Sequence, residues 1–285
     1  MRKLLSVACS VLLGACGSAE APPPVAGPVA APVAAPVATP IAEPAIPAVP
    51  LLEQELAYGE GAKDNLVGFL AVPADAAEPL PGIIVIHEWW GLNDDIKTLT
   101  RRLAREGYIV LAVDLYGGKT AALPEEAQPL MAAVFAEPDA ARRNLQQAYD
   151  YLDRYALAPR IAAVGFGLGG GWALQAALAM PDTLDAAVIY YGQPVMNRTE
   201  LGTLRMPLLG FFGGEDRSIP VREVQDFRAT LQELGKSAEM IIMPGANQSF
   251  VIPSSPNYDA AAATDAWNQT VAFLTRQLKL ATATR

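Results

Sequence analysis

The amino-acid sequence predicts an α/β fold in which a mostly parallel sheet is covered by helices on both faces. After residue 50, short apolar runs alternate with amphipathic helical patterns, which is the order expected of strand–helix–strand units. Runs such as Gly82–Ile86 are apolar at every position, as is typical of strands buried on both faces of a parallel sheet. Residues 51–285 are enough to form one such domain with a substantial core.

The first elements are predicted to be a hairpin, a buried strand and a capped helix. Residues 54–58 and 66–72 flank a glycine-containing turn and predict an N-terminal antiparallel hairpin. Gly82–Ile86 is the next strand. A helix is then expected to begin after the cap residue Asn93 and to end at Gly107, with its apolar residues on one face, namely Ile96, Leu99, Leu103 and Ala104.

The rest of the chain continues the alternation of strands and helices. Strands are predicted at 108–113, 160–164, 186–191, 207–212 and 238–243, and helices at 124–135, 139–155, 172–180, 220–235 and 258–278. In sheets of this kind the chemistry lies beyond the carboxyl ends of the strands, so the loops at those ends are the candidate site.

Residues 1–15 predict a bacterial lipoprotein signal peptide. A charged start precedes an apolar stretch, and Leu13-Gly14-Ala15-Cys16 has the order of a lipobox. The apolar stretch is shorter than the about 20 residues of a membrane-spanning helix. We therefore expect lipidation of Cys16 and a membrane anchor, in the outer membrane facing the periplasm if the source is Gram-negative, because Gly17 is not acidic. An ordinary cleaved signal with an incidental cysteine is the alternative.

Residues 16–50 predict a lipidated start followed by a tether. From residue 21 they are almost entirely Ala, Pro and Val, with prolines four residues apart from Pro24 to Pro44. Proline at this density prevents helix and sheet and favours extended polyproline II. At about 3.1 Å per residue the segment could hold the domain roughly 90 Å from its anchor, so we interpret it as a spacer rather than a recognition segment.

Cysteine usage and charge exclude several kinds of function. Both cysteines, Cys9 and Cys16, lie near the N-terminus, so the folded part has neither a disulfide nor a thiol nucleophile. The formal net charge of −9 becomes about −11 once Arg2 and Lys3 leave with the signal. An acidic domain argues against binding of nucleic acid. With one histidine and no usable cysteine, we expect neither a metal site nor a cofactor.

A glycine-rich turn, Gly165-Phe166-Gly167-Leu168-Gly169, joins the strand at 160–164 to the helix at 172–180. Its layout is that of the nucleophile elbow of α/β-hydrolases, in which G-x-Nuc-x-G lifts a nucleophile above the sheet. The middle position normally holds Ser, Cys or Asp. Here it is Gly167, so the segment is either an elbow that has lost its nucleophile or merely a glycine-rich turn.

A set of motifs in a common order resembles the dienelactone hydrolase family. The motifs are His87-Glu88-Trp89-Trp90-Gly91-Leu92, residues 102–108, Asp114-Leu115-Tyr116-Gly117, Gly165-Phe166-x-x-Gly169-Gly170, Tyr190-Tyr191-Gly192, Gly213-x-x-Asp216 and Pro244-Gly245-Ala246-x-x-x-Phe250. The resemblance covers the domain after the tether. It implies an α/β-hydrolase fold and hydrolysis of lactones or esters by a Cys-His-Asp triad, sometimes with Ser as the nucleophile.

Carried over by position, the resemblance implies an incomplete triad. The acid matches Asp216, the nucleophile position is Gly167, and the base position is Gln248. The position of the family's carboxylate-binding arginine holds Ile252. Two of the three triad members are therefore expected to be absent, and we expect Asp216 to cap the helix at 220–235 instead.

The resemblance also implies a pocket for a small ester, lactone or carboxylate. The backbone N–H groups of Trp89 and Leu168 match the family's oxyanion donors, which persist whatever the side chains are. Aromatic side chains at the strand ends are expected to line the pocket, namely Trp89, Trp90, Tyr116, Tyr190, Tyr191 and Phe250.

His87, Glu88 and several serines are the remaining candidate groups. His87 is interpreted as a buried histidine bonded to backbone. Glu88 is expected either to have a raised pKa and act on water, or to pair with an arginine. The serines nearest the pocket are Ser218, Ser249, Ser254 and Ser255, and none is expected to occupy a strained turn.

Three hypotheses follow, in this order. The first is an anchored lipoprotein whose hydrolase-like domain lacks triad catalysis and serves as a binding or scaffold module. The second is an active ester or lactone hydrolase that uses water activated by Glu88 or His87, or a displaced serine. The third is a structural envelope protein in which the domain only occupies space at the end of the spacer.

Overall fold

A computed structural model describes residues 49–59 and 66–280 of the chain. The predicted signal peptide, the lipidation site Cys16 and the tether up to residue 48 lie outside the described residues. In the described part, the strands are Leu51–Ala57 (β1), Val67–Pro73 (β2), Gly82–Ile86 (β3), Ile109–Val113 (β4), Ile161–Phe166 (β5), Ala186–Tyr190 (β6), Leu208–Gly213 (β7) and Ala238–Met243 (β8).

These strands form one sheet in the order β1-β2-β4-β3-β5-β6-β7-β8. β1 and β2 pair antiparallel, with Leu51 opposite Pro73, and β2 pairs antiparallel with β4. All other neighbours in the sheet are parallel. The predicted hairpin and the predicted mostly parallel sheet are therefore confirmed.

The helices of the described part are Asp94–Arg105 (α1), Pro124–Ala136 (α2), Pro138–Arg154 (α3), Leu168–Ala179 (α4), Arg198–Leu201 (α5), Val221–Glu233 (α6) and Ala260–Leu274 (α7), the last followed by a π-helical turn, Thr275–Leu280. The short α5 was not predicted. None of the described helices is long and apolar enough to cross a membrane.

Two of the helix starts show how local sequence sets the fold. Asn93 caps α1, because its side chain accepts a hydrogen bond from the Ile96 N–H at 3.2 Å. α4 begins at Leu168, four residues before the predicted start at residue 172. Three glycines, Gly169 to Gly171, disfavour helix by propensity. The elbow overrides that preference because α4 must pack directly against the sheet.

The core occupies both faces of the sheet. Ile84 and Ile86 of β3 belong to the cluster that includes α3, α4 and α6, whereas Ile83 and Val85 belong to the cluster that includes α1 and α7. All four side chains are fully buried. Alternation along a strand explains why one apolar run serves two clusters. Because β3, β5, β6 and β7 are parallel neighbours, the residues that follow them meet at one edge of the sheet.

Candidate functional site

The turn between β5 and α4 has the conformation of a nucleophile elbow. Gly167 is the single residue between strand and helix, and its φ of 53° and ψ of −114° lie where side chains are rarely tolerated. Its N–H donates to the Tyr190 carbonyl at 3.0 Å, and its own carbonyl accepts from the Gly170 N–H at 2.9 Å. The strand therefore turns into the helix at one residue, as an elbow requires.

The neighbouring glycines are required by packing. A Cβ on Gly165 would lie 1.9 Å from the Gly169 carbonyl oxygen, and one on Gly169 would lie 2.2 Å from the Ile86 oxygen. A Cβ on Gly170 would lie 2.6 Å from the Tyr190 oxygen. Each of these contacts is with backbone, so none can be relieved by moving a side chain.

Gly167 differs from these glycines. A Cβ on Gly167 would meet nothing closer than the Glu88 Oε1 atom at 3.5 Å, which is ordinary van der Waals contact. The site therefore has room for a Cβ at the nucleophile position, facing the Glu88 carboxyl. Packing does not explain why this position is glycine.

A matched pair of substitutions in α4 tests this packing. Gly169→Ala is expected to destabilise the protein by about 1–3 kcal/mol, because its Cβ would overlap the backbone that follows β3. Gly171→Ala is expected to be neutral or stabilising by up to about 1 kcal/mol, because its nearest contact would be at 3.7 Å and alanine favours helix. The free energy of unfolding in urea measures both. Equal effects would contradict the packing at Gly169.

Glu88 follows β3 and is the buried acid of the site. Its side chain is 3% exposed, and its Oε1 accepts a hydrogen bond from the Ser249 hydroxyl at 2.9 Å. Burial raises the pKa of the carboxyl to about 7, and hydrogen bonding from Ser249 offsets part of that rise. The pKa of Glu88 is therefore raised, as one of the two expectations stated. The other expectation, pairing with an arginine, is not met, because the partner of Glu88 is Ser249. Glu88 is therefore divided between its charged and neutral forms near neutral pH.

Ser249 lies in a strained conformation. Its φ of 59° is in the left-handed region, which a serine occupies only at a cost in energy. The expectation that none of the candidate serines occupies a strained turn is therefore wrong for Ser249. The residue is half-buried and 161 positions from Glu88 in sequence. Only its place beside the base position Gln248 could have indicated it.

Tyr191 and Phe250 form a buried wall behind Glu88. Both side chains are fully buried, and their rings meet edge to face at 5.5 Å. The Tyr191 hydroxyl has no hydrogen-bond partner in the described part of the chain, although it lies close enough to Glu88 for each group to shift the other's pKa. Tyr190 was expected to line the pocket and does not. Its hydroxyl bonds to Thr270 at 2.6 Å, beneath α7.

His87 is held by backbone on both sides of its ring. The Leu115 N–H donates to Nε2 at 3.0 Å, and Nδ1 lies 2.6 Å from the Glu88 carbonyl oxygen. A neutral ring protonated at Nδ1 satisfies both contacts. Burial lowers the pKa of this histidine, which favours the neutral ring. Because both ring nitrogens are occupied, His87 has no nitrogen left to activate water.

Asp216 and Gln248 both accept a hydrogen bond from Ser218. Asp216 Oδ1 accepts from the N–H groups of Ser218 at 2.7 Å and Ile219 at 3.2 Å. The expectation that Asp216 caps α6 is wrong, because that helix begins at Val221 and Pro220 is its cap residue. Asp216 Oδ2 is buried and has no partner among the described residues. The Gln248 side-chain oxygen accepts from the Ser218 hydroxyl at 3.3 Å.

The two expected oxyanion donors come from neighbouring strands. Trp89 lies in the turn after β3 and Leu168 begins α4 after β5, and Ile86 and Gly165 are paired in the sheet just before them. The Leu168 N–H belongs to the first helical turn, which has no intrahelical acceptors and favours negative charge. The Tyr116 hydroxyl donates to the Trp89 carbonyl at 3.0 Å, and the rings of Trp89 and Trp90 are 4.4 Å apart.

Two further features bear on this site, namely a nearby cleft and the placement of side chains that could bind a metal. A cleft of about 380 Å³ lies beside β4, and its lining includes Tyr116 but not Gly167, Glu88 or Ser249. In residues 49–59 and 66–280, no group of three or more His, Cys, Asp or Glu side chains is placed to hold a metal ion.

The sheet, the covering helices and the elbow together define an α/β-hydrolase. Within that class, the family model for the dienelactone hydrolase family matches residues 66–278. The chain belongs to the dienelactone hydrolase family.

Individual relatives agree with this assignment. The chain is 32% identical over 218 residues to the protein named usf from Aquifex pyrophilus, covering 74% of this chain and 93% of that protein. It is 31% identical over 266 residues to a protein provisionally named carboxymethylenebutenolidase from Saccharolobus solfataricus, covering 80% of this chain and 100% of that one. A crystal structure of a provisionally named dienelactone hydrolase from Klebsiella pneumoniae superposes with a TM-score of 0.72 at 28% identity, covering 80% of this chain and 99% of that one.

Proposed function

We propose that the protein is a membrane-anchored lipoprotein whose hydrolase-like domain binds a small ester, lactone or carboxylate without triad catalysis. The observation that carries the proposal is Gly167. The elbow keeps its conformation and has room for a Cβ, 3.5 Å from Glu88, but position 167 carries no atom that could attack a carbonyl carbon.

The base position supports the same conclusion. Gln248 cannot take a proton from a nucleophile, since an amide is neither basic nor acidic near neutral pH. The buried Asp216 Oδ2 has no partner in the described part, where a catalytic histidine would donate to it. Nucleophile and base are therefore both missing, while the acid that would orient the base remains.

The groups that remain suit a ligand oxygen. The N–H groups of Trp89 and Leu168 can donate to a carbonyl or carboxylate oxygen. Glu88 can add an O–H donor when protonated, because burial raises its pKa to about 7. Membership of the dienelactone hydrolase family supports a lactone or ester as the ligand.

Binding without turnover can be tested with δ-valerolactone and the purified domain. We expect the lactone to raise the melting temperature of the protein and to remain unopened when followed by proton NMR. Ring opening that scales with protein concentration would contradict the loss of catalysis. A melting temperature that stays unchanged up to the highest lactone concentration at which the mixture remains in solution would contradict the binding role.

The anchor is tested by fractionating cells that express the full chain. Cys16→Ala is expected to move the protein from the membrane pellet to the supernatant, because the lipidated residue is removed. Cys9→Ala, the matched control within the predicted signal, is expected to leave the protein in the pellet. Retention of the Cys16→Ala protein in the pellet would contradict anchoring through that residue.

A second candidate function rests on the contact between Ser249 and Glu88. The Ser249 hydroxyl lies 2.9 Å from Glu88 Oε1, and its backbone is strained, as is common for nucleophiles. Ionised Glu88 would take the Ser249 proton as Oγ bonds to the carbonyl carbon, and would return it to the leaving alkoxide. Water would then hydrolyse the acyl-serine.

A fluorophosphonate probe separates the two candidates. On the binding proposal, intact mass spectrometry is expected to show no adduct on the wild-type protein. An adduct that Ser249→Ala abolishes, and that the matched control Ser254→Ala retains, would favour the serine hydrolase. Ser254 is a suitable control because it is exposed and bonds to Asp95 at the surface.

A further inference from the structure

The cleft beside β4 is built from four elements that lie apart from the elbow. It has a volume of about 380 Å³, within the range of small-molecule pockets. One wall is the loop Asp114–Lys119, which follows β4, and the opposite wall comes from α2 and α3. The start of β2 closes the end. Gly167, Glu88 and Ser249 are absent from its lining, so the cleft is separate from the site discussed above.

The walls of the cleft are mainly aliphatic. The apolar lining residues are Leu66, Val67, Leu115, Leu130, Ala133, Val134, Ala140 and Ala141. The floor carries Asn144, which is 5% exposed. Its amide group donates to the Asp114 carbonyl at 2.9 Å, and its side-chain oxygen accepts from the Tyr58 hydroxyl at 2.6 Å. One of the two amide hydrogens of Asn144 is left for a ligand.

The loop wall offers donors and a positive charge. The carboxylate of Asp114 is already bonded to the N–H groups of Tyr116, at 2.7 Å, and Gly118. The N–H groups of Gly117 and Lys119 donate to no acceptor in the described part of the chain. The Lys119 ammonium forms no ion pair among the described residues. The acidic residues of the lining are Asp114, whose carboxylate is bonded to the loop, and Glu137 on the α2–α3 side.

We propose that this cleft binds a small amphiphilic monocarboxylate, an acid with an unbranched apolar chain of about six to ten carbons. The chain lies between the loop and α2, where the aliphatic side chains remove it from water. The carboxylate is placed at Lys119 and the donors of the loop, away from Glu137. Such a ligand matches both the apolar lining and Lys119, the one cation among the described residues of the rim.

The loop wall is bonded to the segment that carries Glu88. The Leu115 N–H donates to His87 Nε2 at 3.0 Å, the Tyr116 hydroxyl to the Trp89 carbonyl at 3.0 Å, and the Ala121 N–H to the Trp90 carbonyl at 3.0 Å. A ligand in the cleft is therefore expected to change the environment of a segment that contains two tryptophans. Their fluorescence provides a readout of binding that does not depend on the elbow.

Titration calorimetry with sodium octanoate and tryptophan fluorescence test the proposal on the purified domain. We expect one octanoate per chain, and affinity that rises about fourfold for each methylene from butanoate to octanoate. We expect 1-octanol and octylammonium to bind more weakly than octanoate. Affinity that is independent of chain length, or stronger binding of octylammonium, would overturn the proposal.

Three variants locate the ligand. Lys119→Ala is expected to weaken octanoate about two- to fivefold, the effect of an exposed ion pair, while the matched control Glu137→Gln is not. Ala140→Trp is expected to abolish binding, because Ala140 is exposed on the cleft wall and a large ring fills the space without disturbing the core. Unchanged binding by folded Ala140→Trp protein, or weakening by Glu137→Gln alone, would overturn the assignment.

Discussion

Replacing Gly167 by Cys together with Gln248 by His is expected to create ester hydrolysis, an activity that we propose the wild-type protein lacks. The Cβ of the new cysteine fits without overlap, since its nearest atom is 3.5 Å away. Asp216 and Gln248 both bond to Ser218, so the new imidazole is expected to reach the buried Asp216 Oδ2, which has no partner in the described part. A positioned base accelerates such reactions about 10²–10⁴-fold, so kcat/KM for p-nitrophenyl acetate is expected to exceed the wild-type value by at least about 10²-fold.

The single variants are the controls for this gain. Gly167→Cys alone lacks a base and Gln248→His alone lacks a nucleophile, so each is expected to stay within about tenfold of the wild type. A side chain at the φ of 53° of Gly167 is expected to cost about 1–3 kcal/mol, which urea unfolding measures. The double variant could be folded and inactive although its thiol reacts freely with a small disulfide. That result would show that the two missing side chains are not all that the pocket lacks for catalysis.

Glu88→Gln is expected to change how stability depends on pH. The folded protein holds Glu88 at a pKa of about 7, because the carboxyl is buried. In the unfolded chain a glutamate titrates near about 4.3. Between these values the folded state binds the extra proton, so the free energy of unfolding falls as pH rises from about 4.3 to about 7, by about 4 kcal/mol in total. A glutamine never ionises, and the variant is expected to lose this fall.

Urea unfolding at pH 5 and pH 8 measures the difference. Wild-type protein is expected to lose about 2.5 kcal/mol more between these two pH values than Glu88→Gln does. Glu125→Gln, at an exposed position in α2, serves as the matched control and is expected to follow the wild type. A Glu88→Gln profile parallel to that of the wild type would show that Glu88 has an ordinary pKa.

Hydrophobic periodicity was sufficient for the sheet and most helices. Gly82–Ile86 and Ala238–Met243 have the bounds predicted from their apolar patterns, and the elbow falls at Gly167 as its spacing indicated. These features depend on neighbouring residues, so they can be recognised in the sequence. The start of α4 could not be recognised, because three consecutive glycines indicate a loop unless their contacts with β3 and β6 are known.

The contacts within the site depend on tertiary structure. Ser249 and Glu88 are separated by 161 positions, and no local pattern indicates the positive φ of Ser249. The contact between the Leu115 N–H and His87 joins the loops after two neighbouring strands, so it depends on strand order. The wrong prediction that Asp216 caps α6 has a similar cause. The turn before α6 uses the carboxylate for Ser218 and Ile219, two and three residues along the chain, before the helix begins.

We propose that this member of the dienelactone hydrolase family keeps the elbow but lacks the attacking atom. The most direct test is turnover of p-nitrophenyl acetate by the purified wild-type domain at pH 8, where Glu88 is ionised. We expect release of nitrophenolate at the rate of the buffer blank, unchanged in Glu88→Gln and Ser249→Ala. Catalytic turnover above the blank that either substitution abolishes would contradict the claim.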